Sequence, residues 1–137
     1  AYKNGLSSVV ARDLGKVVFW FKKSTGTWGR RDDIDTTTTN VLECMLNYAS
    51  DGTAYVAYST GPSDPAPNTV KIAKCSNPSE PTAGWTRESV GGVNNTAGML
   101  RTVIDVNGTP GVHYHNRMNF SGTVFATFLN LARPTTP

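Results

Sequence analysis

The chain has 137 residues, a mass of 14.7 kDa and a formal net charge of +3. This size suits a single domain and excludes a large enzyme. A hydrophobic fraction of 38% and a charged fraction of 17% exclude an intrinsically disordered chain. No apolar run approaches the roughly 18 residues of a membrane-spanning helix, so we expect no membrane span. Eighteen Thr and thirteen Val, against seven Leu and three Glu, predict an all-β domain.

The predicted strands are short and separated by turn-forming residues. In chain order they cover residues 17–21, 43–49, 54–59, 69–75, 85–90, 102–106, 111–115 and 123–128. Asp51-Gly52 and Asn107-Gly108 lie between apolar runs, where such pairs favour tight hairpins. Residues 61–67 and 76–81 are rich in proline and are read as loops. No window shows sustained helical periodicity, so no helix is predicted.

The positive charge is dispersed along the chain. Lys22-Lys23 and Arg30-Arg31 are the basic pairs, and Asp32, Asp33 and Asp35 follow the second pair directly. A nucleic-acid surface needs a denser basic face, so we expect no nucleic-acid partner. The three aspartates fit a solvated turn beside the arginines better than an acid cluster for general acid catalysis.

A weak internal repeat is the most informative feature of the sequence. The strand that starts at Val17 recurs at Val70 and again at Thr123, each time at an offset of 53. Gly52 matches Gly108 at an offset of 56, and Trp28 matches Trp85 at an offset of 57. One unit, from about residue 40 to residue 92, holds four predicted strands. The sequence therefore predicts antiparallel units of about fifty residues.

The stretch from Val103 to Tyr114 resembles the first hairpin of blades in sialidase-like and lectin-like β-propellers. Gly26-Thr27-Trp28 and residues 84–90 are similar to the outer strand of such blades, although Ser24-Thr25-Gly26-Thr27-Trp28 lacks the aspartate of a complete Asp box. The resemblance implies four-stranded antiparallel propeller-type blades at about 1–35, 40–92 and 98–131, with 132–137 as a tail or linker. A β-sandwich is the alternative fold.

The strands amount to two and a half to three blades, whereas closed propellers contain about four to eight. Residues 1–35 provide two or three predicted strands and residues 100–130 provide three. Unclosed blades leave sheet edges and apolar faces in contact with water. We therefore expect the ring to be completed by oligomerisation, as a homo-oligomer, or by further chain.

The resemblance implies a non-catalytic, lectin-like module that binds a glycan or polysaccharide and is extracellular or secreted. Aromatic rings can stack on sugars while polar neighbours bind the hydroxyl groups. The candidate ligand-binding residues are Trp28, Tyr58, Trp85, His113, Tyr114, His115 and Arg117. For the two tryptophans, packing between blades is the slightly favoured role.

Two other functions remain open: part of a polysaccharide-active hydrolase or lyase, and a structural assembly subunit. His113 and His115 share one face of a strand, but no third ligand lies at a recognisable spacing, so we expect no metal and no cofactor. The carboxylates show no spacing that pairs them for glycoside hydrolysis. Cys44 and Cys75 could form a disulfide or be two buried thiols.

Overall fold

The computed structural model describes residues 2–3, 6–22, 25–37, 40–61, 68–78, 84–93, 97–104, 109–120 and 124–132. These ranges form strands and connecting turns without a helix, which confirms the all-β prediction. The described segments therefore include no helix that could cross a membrane.

The strands form three antiparallel sheets in which neighbours along the chain are neighbours in the sheet. The first sheet holds β1 (Tyr2–Lys3), β2 (Leu6–Asp13), β3 (Lys16–Lys22) and β4 (Trp28–Asp33). The second holds β5 (Val41–Tyr48), β6 (Ala54–Thr60), β7 (Asn68–Cys75) and β8 (Thr86–Val93). The third holds β9 (Ala97–Ile104), β10 (Pro110–Phe120) and β11 (Val124–Ala132).

The strands expected between residues 43 and 90 are all present as β5 to β8. The expectation for residues 1–35 was wrong in number, because this segment forms four strands rather than two or three. The sequence reading missed β1 and β2. β2 contains Ser7, Ser8 and Arg12 among its apolar residues, which weakens the strand signal.

The second sheet is covered on both faces. Residues paired across neighbouring strands share a face, so Val56 and Ala73 lie on one side and Ala57 and Ile72 on the other. The first side packs against Val17 and Phe19 of the first sheet. The second side packs against Val112 of the third sheet. The described sheets therefore stack in chain order, with the second between the other two.

Polar contacts fix the first sheet against the second. The Ser8 hydroxyl and the Tyr48 hydroxyl form a hydrogen bond of 2.7 Å. Arg12 Nη1 donates to the Val41 carbonyl at 3.4 Å, and the Val41 amide donates to the Gly15 carbonyl at 2.7 Å. Together these bonds connect β2 and its following turn to both ends of β5.

The internal repeat corresponds to equivalent positions in the first two sheets. Val17 and Val70, both fully buried, lie near the start of the third strand of their sheets. Val17 pairs with Arg12, which lies three residues after Val9. In the same way, Val70 pairs with Ser59, which lies three residues after Val56. Val17 and Val70 therefore occupy equivalent positions in these two sheets.

Thr123 lies outside the described residues, so its match to Val17 and Val70 stays a prediction. The strand expected there is present as β11, which begins at Val124. Val112 follows Val56 at the same offset of 56 that separates Gly108 from Gly52. His115 lies three residues after Val112 and pairs with Leu129. By that offset, Leu129 has on β11 the place that Val70 has on β7, and β10 and β11 form a longer hairpin than β6 and β7.

Cys44 and Cys75 are free thiols. Cys44 is level with Tyr58 and Lys71 across the sheet, and Cys75 is four residues further along β7. Two strand spacings and four residues separate them by about 16 Å, well above the Cα separation of a disulfide. Burial raises the pKa of the Cys44 thiol, which keeps it protonated at neutral pH.

Candidate functional site

An open polar cleft lies between the first and second sheets. The segment after β4 contributes Asp35 and Thr37, β7 contributes Lys71, and β8 contributes Arg87, Glu88 and Ser89. Lys71 and Ser89 are directly opposite each other across β7 and β8. The cleft has a volume of about 230 Å³, which suits a group smaller than a drug-sized ligand.

Asp35 is the buried centre of this cleft. The residue is 1% exposed, although it carries a carboxylate. Its Oδ1 accepts hydrogen bonds from the Thr37 amide at 3.0 Å and the Thr37 hydroxyl at 2.7 Å. Its Oδ2 accepts from the Tyr58 hydroxyl at 2.9 Å and from Lys71 Nζ at 3.1 Å. Both oxygens are thus engaged, as a buried carboxylate requires.

Arg87 adds a second cation to the same carboxylate. Its Nη1 lies 3.7 Å from Asp35 Oδ1 and donates to the Ile34 carbonyl at 3.3 Å. The Lys71 side chain is 23% exposed and that of Arg87 is 40% exposed, so both bridge the buried carboxylate and the open cleft. Asp35 therefore fixes the two cations in position.

Tyr58 is the fully buried hydrogen-bond partner of Asp35 in this network. Burial raises the pKa of the Tyr58 hydroxyl far above its usual value, and the hydrogen bond to Asp35 raises it further. The hydroxyl stays protonated and donates to Asp35 throughout the physiological pH range. Lys71 Nζ also lies 6.0 Å from the centre of the Tyr58 ring, at the outer limit of a cation–π contact.

The reading of the three aspartates as one solvated turn was wrong for Asp35. Asp33 is part-exposed and forms a 3.4 Å ion pair with Lys16. Asp32 accepts a hydrogen bond from the Trp85 indole at 3.2 Å. Asp35 differs because its partners Tyr58 and Lys71 are 23 and 36 residues away in the sequence. A local sequence pattern cannot indicate partners that are so far away along the chain.

Tyr58 and Trp85 occupy packing positions rather than open aromatic platforms. Tyr58 is fully buried, so its ring has no face exposed for stacking on a sugar. Trp85 packs on Phe19 with ring centroids 5.2 Å apart and lies against the core between the first two sheets. Trp28 is 47% exposed and remains accessible.

The other candidate residues lie on β10. The strand carries His113, Tyr114, His115 and Arg117, and its backbone pairs with β9 and β11. The side chains of these four residues lie outside the described part of the chain. Their expected role as ligand contacts stays a prediction.

Sequence reasoning missed Lys71, Arg87, Glu88 and Ser89 as cleft residues. One signal was available: the offset of 57 between Trp28 and Trp85 identifies the start of equivalent fourth strands, and three of the missed residues follow Trp85 closely. Which strand residues face a cleft depends on how the sheets stack. That stacking involves contacts distant in sequence.

The cleft is equipped for binding through hydrogen bonds and charge. Lys71 and Arg87 provide donors, Glu88 provides acceptors, and Ser89 and Thr37 provide both. Asp35 is poorly suited to act as a catalytic acid or base, because its two oxygens are already occupied by Thr37, Tyr58 and Lys71. Among the described residues, no group of three or more His, Cys, Asp or Glu side chains is arranged to hold a metal ion.

Comparison of the chain with models of protein families, with curated proteins and with solved structures finds no match.

Proposed function

We propose that the chain is a non-catalytic, glycan-binding module built from propeller-type blades. The stacking of sequential antiparallel meanders supports the blade arrangement. Four-stranded meanders that pack face to face in chain order are the building plan of propellers. The equivalence of Val17 with Val70 supports the same plan, because it repeats the packing position from one sheet to the next.

The cleft between the first two sheets is the proposed glycan site. The single observation that carries this proposal is an open cleft of about 230 Å³ whose lining residues are all polar or charged, with its cations held by a buried carboxylate. A sugar residue presents hydroxyl groups that both donate and accept, which matches this mixture of side chains. Preset cations reduce the entropy lost on binding. The ligand would be held at its edges rather than by stacking.

Blocking the cleft tests this proposal. Ser89 is exposed and faces the cleft, so Ser89→Trp fills the space without removing any contact to Asp35. We expect binding by a panel of neutral and acidic monosaccharides, measured by titration calorimetry, with Kd values of about 1 mM, or about −4 kcal/mol. Ser89→Trp should weaken that binding at least tenfold.

Ser76→Trp is the matched control. Ser76 is also exposed and lies just past the end of β7, five residues beyond Lys71 and about 16 Å away. This variant should bind like the unmodified chain. No binding by any sugar of the panel at millimolar concentration contradicts the proposal, and so does equal binding by the two tryptophan variants.

A further inference from the structure

Arg87 is a cation of the cleft that Asp35 does not require for its own charge balance. The carboxylate accepts four hydrogen bonds of 2.7 to 3.1 Å, from the amide and hydroxyl of Thr37, from Tyr58 and from Lys71. A carboxylate offers about four acceptor sites, so these bonds occupy it fully. Its charge is balanced by the Lys71 ammonium. Arg87 Nη1 lies 3.7 Å from Oδ1, beyond hydrogen-bond distance.

The guanidinium of Arg87 also keeps hydrogen-bond donors for a ligand. A guanidinium carries five N–H groups in a planar fork. The described contacts of Arg87, to Asp35 Oδ1 and to the Ile34 carbonyl, are both made by Nη1. These contacts do not use the donors on Nη2 and Nε. The Arg87 side chain is 40% exposed and lines the cleft, so these donors are accessible to an incoming group.

Arg87, Lys71 and Ser89 lie on the same face of the second sheet. Arg87 pairs with Ala73, which packs against the first sheet, and Lys71 pairs with Ser89. Residues two positions apart on a strand share a face, so all three side chains are directed towards the first sheet. Lys71 and Arg87 are diagonal neighbours on adjacent strands, a relation that separates Cβ atoms by about 7 Å. Two long cationic side chains at this separation can contact one small anion.

Glu88, the other acidic residue of the lining, lies on the opposite face of β8. It pairs with Ile72, which packs in the cluster that contains Val112 of the third sheet. Successive residues of a strand alternate between faces, so Glu88 borders the cleft from the far side of the strand. On the side of the first sheet, the lining residues therefore carry the positive charges of Lys71 and Arg87 and the negative charge of Asp35. The cleft has an excess of positive charge on this side.

We propose that Arg87, together with Lys71 and Ser89, forms an anion subsite in the cleft that receives the carboxylate or sulfate group of an acidic sugar. Arginine binds such groups through two parallel N–H···O bonds, and charge-assisted bonds of this kind are about twice as strong as neutral ones. The Ser89 hydroxyl, opposite Lys71, offers a further donor. The negative group of the ligand balances the charge that Asp35 leaves uncompensated.

This inference rests on the glycan-binding function proposed above and names the class of sugar. Asp35 keeps its bonds to Thr37, Tyr58 and Lys71 while the ligand binds, because the subsite uses the Nη2 and Nε donors of Arg87. A neutral sugar fills the cleft without a charged partner for the guanidinium, which then loses part of its hydration without compensation. The cleft should therefore prefer an acidic sugar to a neutral sugar of the same shape.

Matched pairs of sugars test this preference. Glucuronate and its methyl ester share one ring and differ in the negative charge, and galactose 6-sulfate differs from galactose in the sulfate group. In titration calorimetry at low ionic strength, we expect an acidic sugar to bind about tenfold more tightly than its neutral partner. The pair that shows this ratio identifies the group as carboxylate or sulfate. Raising the salt concentration to about 0.5 M should reduce the ratio, because the subsite is open to solvent.

Variants of Arg87 assign the preference to this residue. Arg87→Gln removes the charge and the fork, so the ratio of acidic to neutral affinity should fall to about one. Arg87→Lys keeps the charge without the two parallel bonds and should give an intermediate ratio. Lys74→Gln is the matched control, because Lys74 is exposed on the same sheet, pairs with Thr86 and lies on the face opposite Ala73. It removes the same amount of charge outside the cleft and should leave the ratio unchanged.

The outcomes separate this inference from the glycan proposal. Equal affinity within both sugar pairs overturns the anion subsite and leaves glycan binding intact, and an equal fall of the ratio in Arg87→Gln and Lys74→Gln also overturns the subsite. If Arg87→Gln does not fold, a ratio in Arg87→Lys as high as in the unmodified chain overturns the two-bond contact. Binding of inorganic sulfate by a chain that binds none of the four sugars supports the subsite and contradicts the glycan proposal. Absence of any binding contradicts both.

Discussion

At the scale of single residues, Asp35 explains why this protein can keep a charge between two apolar sheets. The carboxylate is 1% exposed, and it accepts hydrogen bonds from Thr37, Tyr58 and Lys71. A buried charge is costly unless such partners are in place, and each partner lost leaves part of that cost uncompensated. The residues of the network are therefore coupled, and each one contributes to the position of the others.

Tyr58→Phe should make the protein less stable at neutral pH and less sensitive to alkali. The lost hydrogen bond to Asp35 should lower the free energy of unfolding by about 1–3 kcal/mol. The folded-state pKa of Tyr58 is raised above its value near 10 in the unfolded chain. Between these two values the unfolded chain has lost the proton and the folded chain retains it, so stability falls as pH rises above about 10. Without the hydroxyl, this fall should be shallower.

Urea denaturation at several pH values between 7 and 11 measures both effects. Tyr55→Phe is the control: Tyr55 is on the opposite face of β6, and burial raises its pKa with a further contribution from Asp51. At pH 7, Tyr55→Phe should lower the free energy of unfolding less than Tyr58→Phe does, because the hydrogen bond between Tyr58 and Asp35 is intact. If the stability of Tyr58→Phe falls above pH 10 as steeply as that of the unmodified chain, the assigned role of Tyr58 is wrong.

The candidate site was only partly predictable at this scale. Sequence reasoning listed Tyr58 among the candidate ligand-binding residues, a role in which its ring would be open to a sugar, but the residue is fully buried. It placed Asp35 with its neighbours Asp32 and Asp33, although only Asp35 is buried. Both errors have one cause. The burial of a side chain depends on which sheet lies above it, and the partners that decide this are tens of residues distant.

At the scale of strands and turns, the hairpin between β2 and β3 contains a local conflict. Its two turn residues, Leu14 and Gly15, both have positive φ angles, of 48° and 81°. Two-residue hairpins with both φ angles positive favour Asn-Gly, since a branched apolar side chain tolerates this region poorly. Leu14 is also 93% exposed and gains little from packing.

Leu14→Asn should therefore stabilise the protein, by about 0.5–1 kcal/mol. The expected result is a higher urea midpoint with an unchanged m-value, which indicates a change of stability alone. Leu14→Ala is the control, because it removes the exposed apolar side chain but keeps a Cβ at the positive φ angle. An equal gain in Leu14→Ala would show that the side chain, and not the backbone angle, is responsible.

Strands were the most predictable elements because their signals are local. The β-branched and aromatic run from Val17 to Phe21 lies within β3, and the Asp51-Gly52 turn joins β5 to β6 as expected, with Gly52 at a φ of 94°. β2 was missed because polar residues interrupt it. The repeat spacing was correct between Val17 and Val70, whereas Thr123 lies outside the described residues.

At the scale of the whole molecule, the three repeated valines provide a test of the stacked arrangement. Val56 and Val112 are fully buried, whereas Val9 is 44% exposed. Val56→Ala and Val112→Ala should each lower the free energy of unfolding by about 2–3 kcal/mol, through lost apolar burial and the cavity that remains. Val9→Ala should cost less than about 1 kcal/mol in the dilute monomer.

Protein concentration separates packing within a chain from packing between chains. If the homo-oligomer expected from the sequence covers Val9, association stabilises the folded state, and the cost of Val9→Ala should rise with concentration as the chain assembles. The costs of Val56→Ala and Val112→Ala should not depend on concentration, since their partners lie within the same chain. Urea denaturation at two concentrations, below and above the association midpoint, measures these differences. Equal costs for all three variants in the dilute monomer would mean that Val9 is already packed by its own chain, and the stacking order would have to be revised.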